Sequence, residues 1–210
     1  MSGRDAGPAP PPAVVHVVDD DGAIRDALAF LLGSRGLTTR TWPSAEAFLS
    51  APPPEGPGCL ILDIRLGGMS GVELFEALRT AGSPLPVIFL TGHGDVPMAV
   101  QALKRGAFDF VEKPCNDNQL VDRVLEALRL DEARRLSRAA EAGVAARLDT
   151  LTSRERQVMD QVLRGEPNKA IADALGLAMR TVEVHRSRVF EKMGVRSAVE
   201  LARVLSGSGR

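Results

Sequence analysis

A chain of 210 residues, 44% hydrophobic and 25% charged, is longer than the usual single domain and has ordinary globular composition, which points to two modest domains, each able to bury a core. Its apolar runs are far too short to cross a bilayer, residues 1–12 form a small Pro-rich, disordered leader without the apolar core of a signal peptide, and Cys59 and Cys115 show neither metal-ligand spacing nor a disulfide framework. A cytoplasmic protein with reduced packing cysteines is expected. The net charge of −1 hides an asymmetry, −5 over residues 1–149 and +4 over residues 150–210, so only the second part attracts nucleic acid.

In chain order, the apolar run Val14 to Val18 ends at Asp19 and Asp20. Ile24, Ala27, Leu28, Leu31 and Leu32 then follow the spacing of a core-facing helix, stopped near Gly36. Ser44 caps a second helix through Leu49, and Pro52 to Gly58 reads as a loop. A strand from Cys59 to Leu62 ends at Asp63, a helix spans Val72 to Arg79, and a strand from Val87 to Leu90 ends at Thr91. A helix from Pro97 to Lys104 precedes a strand from Phe108 to Val111, which leads to Lys113; a fifth helix starts near Asn118. Such alternation requires right-handed crossovers and a parallel sheet covered on both faces. The expectation is an α/β domain over residues 13–128, doubly wound, with five strands in the order 2-1-3-4-5 and its ligands outside the carboxyl ends of the strands.

Residues 129–149 are charged and alanine-rich without a strong apolar stripe, and read as a partly helical linker whose four arginines between Arg129 and Arg138 are solvated. Thr152 and Glu155 form a capping box that opens a small all-α domain, in which three short helices can be placed. One helix carries Val158, Met159, Val162 and Leu163; a second opens at Asn168 and stops at Gly176. A third spans Thr181 to Met193, with Val182, Val189 and Met193 on one face and Val184, Ser187, Arg188 and Glu191 opposite. Two helices joined by a short glycine turn describe a helix-turn-helix, and equally a helical bundle that dimerises or covers the first domain.

The strand ends carry the chemistry. Three carboxylates brought together repel one another unless a hard divalent cation such as Mg²⁺ bridges them. Asp19 and Asp20 are the candidate ligands, Asp63 is both ligand and nucleophile, Lys113 neutralises a phosphoryl oxygen, and Thr91 donates to another. Taken singly, the same residues also read as a solvated turn, a helix cap and a strand end. Their conjunction, each at the end of its own apolar run, points to transfer of a phosphoryl group onto Asp63.

The stretches Val-Val-Asp-Asp-Asp, Leu-Ile-Leu-Asp-Ile-Arg-Leu-Gly-Gly-Met-Ser-Gly, Phe-Leu-Thr-Gly-His-Gly-Asp and Ala-Phe-Asp-Phe-Val-Glu-Lys-Pro resemble the receiver domains of two-component response regulators. The resemblance implies that Asp19, Asp20 and the phosphoacceptor Asp63 bind Mg²⁺, that a sensor histidine kinase donates the phosphoryl group, that Thr91 and the aromatic Phe110 signal the phosphorylated state, and that Lys113 stabilises it through a cis Lys-Pro bond. Gly67-Gly68-Met69 stands where many members have a proline. Leu-Thr-Ser-Arg-Glu, Asn-Lys-Ala-Ile-Ala and Arg-Thr-Val-Glu-Val-His-Arg-Ser-Arg-Val-Phe-Glu-Lys-Met are similar to the DNA-binding domain of the LuxR, NarL and FixJ type, which implies a small four-helix domain over residues 150–205 followed by a flexible tail over 206–210. That resemblance places the helix from Thr181 in the major groove of double-stranded promoter DNA, with Glu183, Val184 and Ser187 toward bases and Lys169, Thr181, Arg188 and Lys192 toward phosphates. His185 fits the motif and equally reads as a packing residue, and His16 and His93 read as structural.

The implied protein is a transcription regulator, not a classical enzyme, that dimerises when phosphorylated and engages promoter DNA, with RNA polymerase as a further partner. Alternatives are a regulator that binds DNA independently of phosphorylation and an adaptor whose last helices bind protein. An aspartate-nucleophile phosphatase of the haloacid-dehalogenase type is disfavoured, because such enzymes place a second acid two residues after the nucleophile and Arg65 stands there.

Overall fold

The computed structural model describes residues 12–54, 56–92 and 96–207. The expected leader apart from Pro12, residue His93 and the last three residues of the expected tail lie outside the described residues. The chain divides into two compact units between Arg135 and Leu136.

In the first unit, strands β1 (Val14–Val18), β2 (Thr38–Trp42), β3 (Gly58–Asp63), β4 (Val87–Thr91) and β5 (Asp109–Glu112) alternate with helices α1 (Gly22–Ser34), α2 (Ala45–Leu49), α3 (Gly71–Thr80) and α4 (Val96–Lys104), and α5 begins at Asp117. The five strands form one parallel sheet in the order β2-β1-β3-β4-β5. Chain order reverses between β1 and β3, which opens a crevice at their carboxyl ends. On one face Val15, Val17, Cys59, Ile61, Ile88 and Leu90 pack against Leu28 and Leu32 of α1 and Leu120 and Val124 of α5. On the other, Leu60, Leu62 and Phe89 meet Ala45, Phe48, Leu74, Phe75 and Ala99 from α2, α3 and α4. Strands buried on both faces read as continuous apolar runs, which is why β1, β3 and β4 stand out in the sequence.

The edge strand β2, Thr-Thr-Arg-Thr-Trp, is half exposed and carries no such run; it is fixed by its register on β1, Val14 opposite Thr38 through Val18 opposite Trp42. Beside it, His16 is buried among Trp42 and Phe48, its Nδ1 accepting from the Trp42 indole at 3.3 Å, and burial together with nearby Arg40 lowers its pKa to about 4. It is a neutral packing residue, as expected. Cys59 is likewise inert: burial, with Asp131 adding to it, pushes its thiol up to about 12.

Helix α5 continues without a break to Asp149, so the stretch expected to be partly helical is helical throughout. Its residues between Arg129 and Asp149 are mostly Ala, Arg, Glu and Leu, good helix formers. One of the four arginines between Arg129 and Arg138 is not simply solvated. Asp131 is fully buried, its Oδ2 accepting from the Gly58 amide at 2.9 Å and from Arg135 Nε at 2.7 Å, so Arg135 supplies the cation that a buried carboxylate requires.

In the second unit, α6 (Ser153–Leu163), α7 (Asn168–Leu175), α8 (Met179–Met193) and α9 (Ala198–Gly207) enclose a core of Val158, Val162, Ile171, Val182, Val189, Met193 and Leu201, with Val144 from α5. Thr152 and Glu155 make the expected capping box. The turn between α7 and α8 needs a left-handed residue, and Gly176 adopts φ +64° there. Helix α8 starts two residues ahead of the expected Thr181, and α9 keeps Ser206 and Gly207 helical where a flexible tail was expected. No helix among the described residues is long and apolar enough to cross a membrane.

Candidate functional site

The carboxyl ends of β1, β3 and β5 bring Asp19, Asp63 and Lys113 into direct contact. Lys113 Nζ donates to Asp19 Oδ2 at 2.9 Å and to Asp63 Oδ2 at 2.8 Å. Asp19, Asp20 and Asp63 each present a carboxylate oxygen within 4.8 Å of the others. Backbone amides hold all three: Asp21 N donates to Asp19 Oδ1 at 2.9 Å, Arg65 N to Asp63 Oδ1 at 3.2 Å and Gly67 N to Asp20 Oδ2 at 3.2 Å. Asp19 is fully buried, and burial raises its pKa against the pull of the Lys113 ammonium. Burial also works against the charge on Lys113, but its hydrogen bonds to Asp63 and Asp19 outweigh it and hold its pKa above the ordinary lysine value. A single ammonium shared between two of three carboxylates leaves the cluster anionic. That excess suits a hard divalent cation with oxygen ligands, and Asp20, exposed at the rim, leaves the mouth open.

The other expected members surround this cluster. Thr91, at the end of β4, is fully buried, and its hydroxyl donates to the Gly92 carbonyl at 2.9 Å. Its own carbonyl accepts from the Lys113 amide at 2.8 Å, and the Lys113–Pro114 bond is cis. Phe110 pairs with Phe89 across the β4–β5 ladder and packs on the sheet face of α3 and α4. That is also the face of Thr91, two residues beyond Phe89.

On α8, Thr181, Glu183, Val184, Ser187 and Arg188 are exposed, and Lys169 is exposed on α7. Val182 and Val189 on the opposite face are buried in the core. A two-helix unit with a left-handed glycine turn and a solvent-facing polar second helix has the form of a helix-turn-helix.

Residues 15–125 match the family model of the response regulator receiver domain, and residues 149–205 match that of the bacterial regulatory proteins of the luxR family. The chain belongs to the response regulators. A relative is the C4-dicarboxylate transport transcriptional regulatory protein DctR of Rhodobacter capsulatus, 55% identical over 192 residues, which span 90% of this chain and 98% of that protein. Another is the transcriptional regulatory protein FixJ of Bradyrhizobium diazoefficiens, 43% identical over 93% of this chain and 95% of that protein. Among solved structures, the response regulator StyR aligns with a TM-score of 0.89 and 41% identity over 93% of this chain and 99% of that one. The regulator is therefore a phosphorylation-controlled transcription regulator of a two-component system, and its two domains imply a kinase and DNA as partners.

Lys192, expected to face phosphates, is half-buried and engaged within the unit: Nζ donates to Glu155 Oε2 at 2.6 Å and to the Thr150 carbonyl at 2.9 Å. Glu155 is buried, and the Lys192 ammonium, with the Thr152 amide, holds its pKa down to about 2. The capping glutamate thus locks the start of α6 to the end of α8. His185, half-buried, has a buried Nδ1 without a protein partner among the described residues.

Several positioning residues carry no signal in the sequence read alone. Glu46 Oε1 accepts from the Met69 amide at 2.8 Å, which steadies the β3–α3 loop where the family's proline is missing. Arg25 Nη1 donates to the Asp19 carbonyl at 2.7 Å. Gly71 allows the start of α3 to lie against the end of β3, because a Cβ there lands on the Asp63 carbonyl oxygen. Gly71→Ala is expected to destabilise the first unit by roughly 1–3 kcal/mol and to displace Asp63. Thermal unfolding and the rate of Asp63 phosphorylation, measured side by side, check both effects.

Proposed function

We propose that Asp63 accepts a phosphoryl group from a sensor histidine kinase, with Mg²⁺ held by Asp19, Asp20 and Asp63, and that the modified receiver dimerises and drives α8 into promoter DNA in the cytoplasm. The observation that carries this reading is the position of Lys113 Nζ, 2.8 Å from Asp63 and 2.9 Å from Asp19. When bound, the cation offsets the charge of the carboxylates and of the incoming phosphoryl oxygens. An oxygen of Asp63 forms the new O–P bond as the N–P bond to the donor imidazole breaks. The leaving imidazole takes up a proton. Lys113 is already charged and beside the nucleophile, so it passes a hydrogen bond to a phosphoryl oxygen without waiting for a proton.

The Thr91 hydroxyl then leaves the Gly92 carbonyl for another phosphoryl oxygen, and Phe110 follows into the space it vacates. This repacks the face of α4, β5 and α5 as a surface for a second copy. Within the chain, the receiver covers residues 13–128, the linker 129–149 and the DNA-binding domain 150–205. On DNA, Glu183, Val184 and Ser187 face bases, while Lys169, Thr181 and Arg188 face phosphates; RNA polymerase is a further partner. Lys192 serves by fixing α8.

The test compares wild type and Asp63→Asn with and without a small acyl phosphate donor and Mg²⁺. Wild type is expected to gain the mass of one phosphoryl group, to increase in oligomeric mass and to bind promoter fragments more tightly, whereas the variant does none of these. Equal DNA binding in all four conditions would establish the phosphorylation-independent alternative.

A further inference from the structure

The loop after Asp63 contains two adjacent glycines that answer different demands. Gly68 adopts φ +93°, and a Cβ on it would come within 2.8 Å of Glu46 Oε1, so its position requires glycine for backbone reasons. Gly67 is not among the residues of positive φ, and a Cβ on it would meet only Asp20 Oδ2, at an ordinary 3.7 Å. Neither strain nor crowding demands glycine there. What the position supplies is an amide N–H, which donates to Asp20 Oδ2 at 3.2 Å across 47 residues of sequence. The amides that hold Asp19 and Asp63 come from residues two positions further along the same turns. Of these three amide bonds, that of Gly67 joins the β1–α1 turn to the β3–α3 loop.

We propose that Gly67 is a positioning residue for cation loading: its N–H fixes the Asp20 carboxylate in its receiving orientation and ties occupancy of the acidic pocket to the loop that follows the phosphoacceptor. This deepens the reading of the site as a Mg²⁺-dependent phosphoacceptor and rests on it. Asp20 is exposed, and its carboxylate is free to rotate once this bond is removed. A carboxylate oxygen has two lone pairs, so the N–H occupies one and leaves the other, with Oδ1, open to a cation. Orienting a ligand before the metal arrives raises affinity, because the ordering is not repeated on binding. A proline at 67 would remove the donor and uncouple the two loops.

The experiment compares full-length wild type, Gly67→Ala and Gly67→Pro by Mg²⁺ titration, followed by calorimetry and by the fluorescence of Trp42, the single tryptophan, whose carbonyl accepts from the Asp19 amide at 3.3 Å. Gly67→Ala keeps the N–H and is expected to bind Mg²⁺ within about twofold of wild type, while Gly67→Pro binds about three- to tenfold more weakly. With a small acyl phosphate donor, the Mg²⁺ concentration for half-maximal phosphorylation shifts by the same factor in Gly67→Pro. The maximum at saturating Mg²⁺ stays near that of wild type, a split that a general loss of structure does not produce. If the proline variant unfolds, ester replacement of the 66–67 amide removes the N–H alone and takes its place in the titration. Equal Mg²⁺ affinity in the alanine variant and the variant lacking the N–H overturns the proposal while leaving the phosphoacceptor reading intact. Wild type that neither binds Mg²⁺ nor gains a phosphoryl group overturns both.

Discussion

Replacement of Lys113 by methionine is expected to slow phosphorylation of Asp63 by about 10²–10³-fold while leaving Mg²⁺ binding at least as tight as in wild type. The ammonium lies where charge develops on the transferring group, and its loss removes a preorganised interaction that water supplies poorly. Cation affinity is spared because Lys113 competes electrostatically with the metal for Asp19 and Asp63. The same substitution alters stability with pH. Burial already raises the Asp19 pKa, and the Lys113 bonds are the pull in the other direction, so removing them moves it further up. A carboxyl whose folded pKa lies above its unfolded one contributes stability fully below the unfolded value and loses it as pH rises through the folded one. The metal-free variant is therefore less stable than wild type at neutral pH and recovers on mild acidification or on addition of Mg²⁺. Intact-mass kinetics and thermal melts at two pH values, with and without Mg²⁺, decide this; a variant phosphorylated at the wild-type rate removes Lys113 from the mechanism.

Lys192→Ala is expected to destabilise the second unit by about 1–3 kcal/mol and to weaken DNA binding through local opening where α6 meets α8, with phosphorylation of Asp63 unchanged. It leaves the buried Glu155 carboxylate with its capping bonds but without its cation. Glu155 is held down to about 2 against an ordinary 4.5, so its contribution to stability is present above that ordinary value and is lost as pH falls toward 2. The substitution brings the folded and unfolded values together, and most of that acid dependence disappears. Amide hydrogen exchange in the full-length protein, read over α6 and α8 across this pH range, provides the check. Lys169→Ala is the contrast: exchange is unchanged, while the salt dependence of duplex binding falls by about one phosphate contact. If Lys192→Ala instead keeps its exchange protection and loses only salt-dependent affinity, Lys192 is a phosphate contact after all.

The fold was legible wherever burial on two faces forces an apolar run. Thus β1, β3 and β4 are plain in the sequence; β3 and β4 end in Asp63 and Thr91, and β1 ends one residue before Asp19. Edge strand β2 was not legible, because its half-exposed threonines resemble a loop until they pair with β1. The unbroken course of α5 was hidden by its mixed charge, since no apolar stripe marks a helix whose residues from Arg129 to Asp149 are largely exposed. Punctuation was more reliable than periodicity: Ser44, Thr152 with Glu155, and Gly176 all act as read, and the Lys113–Pro114 bond is cis as the family resemblance implied.

What the sequence alone determined is which residues meet at the carboxyl edge of the sheet, because residues that follow parallel strands of one sheet have only one edge to occupy. What only the tertiary structure decided is the partner of each charge: Lys113 on Asp19 and Asp63, Gly67 on Asp20, Glu46 on Met69, Arg135 on Asp131, Lys192 on Glu155. All but the Arg135 pair join residues far apart in the chain. A carboxylate or an ammonium carries no directional code in its neighbours; it takes the complementary group that folding brings within about 3 Å, and burial makes that choice binding.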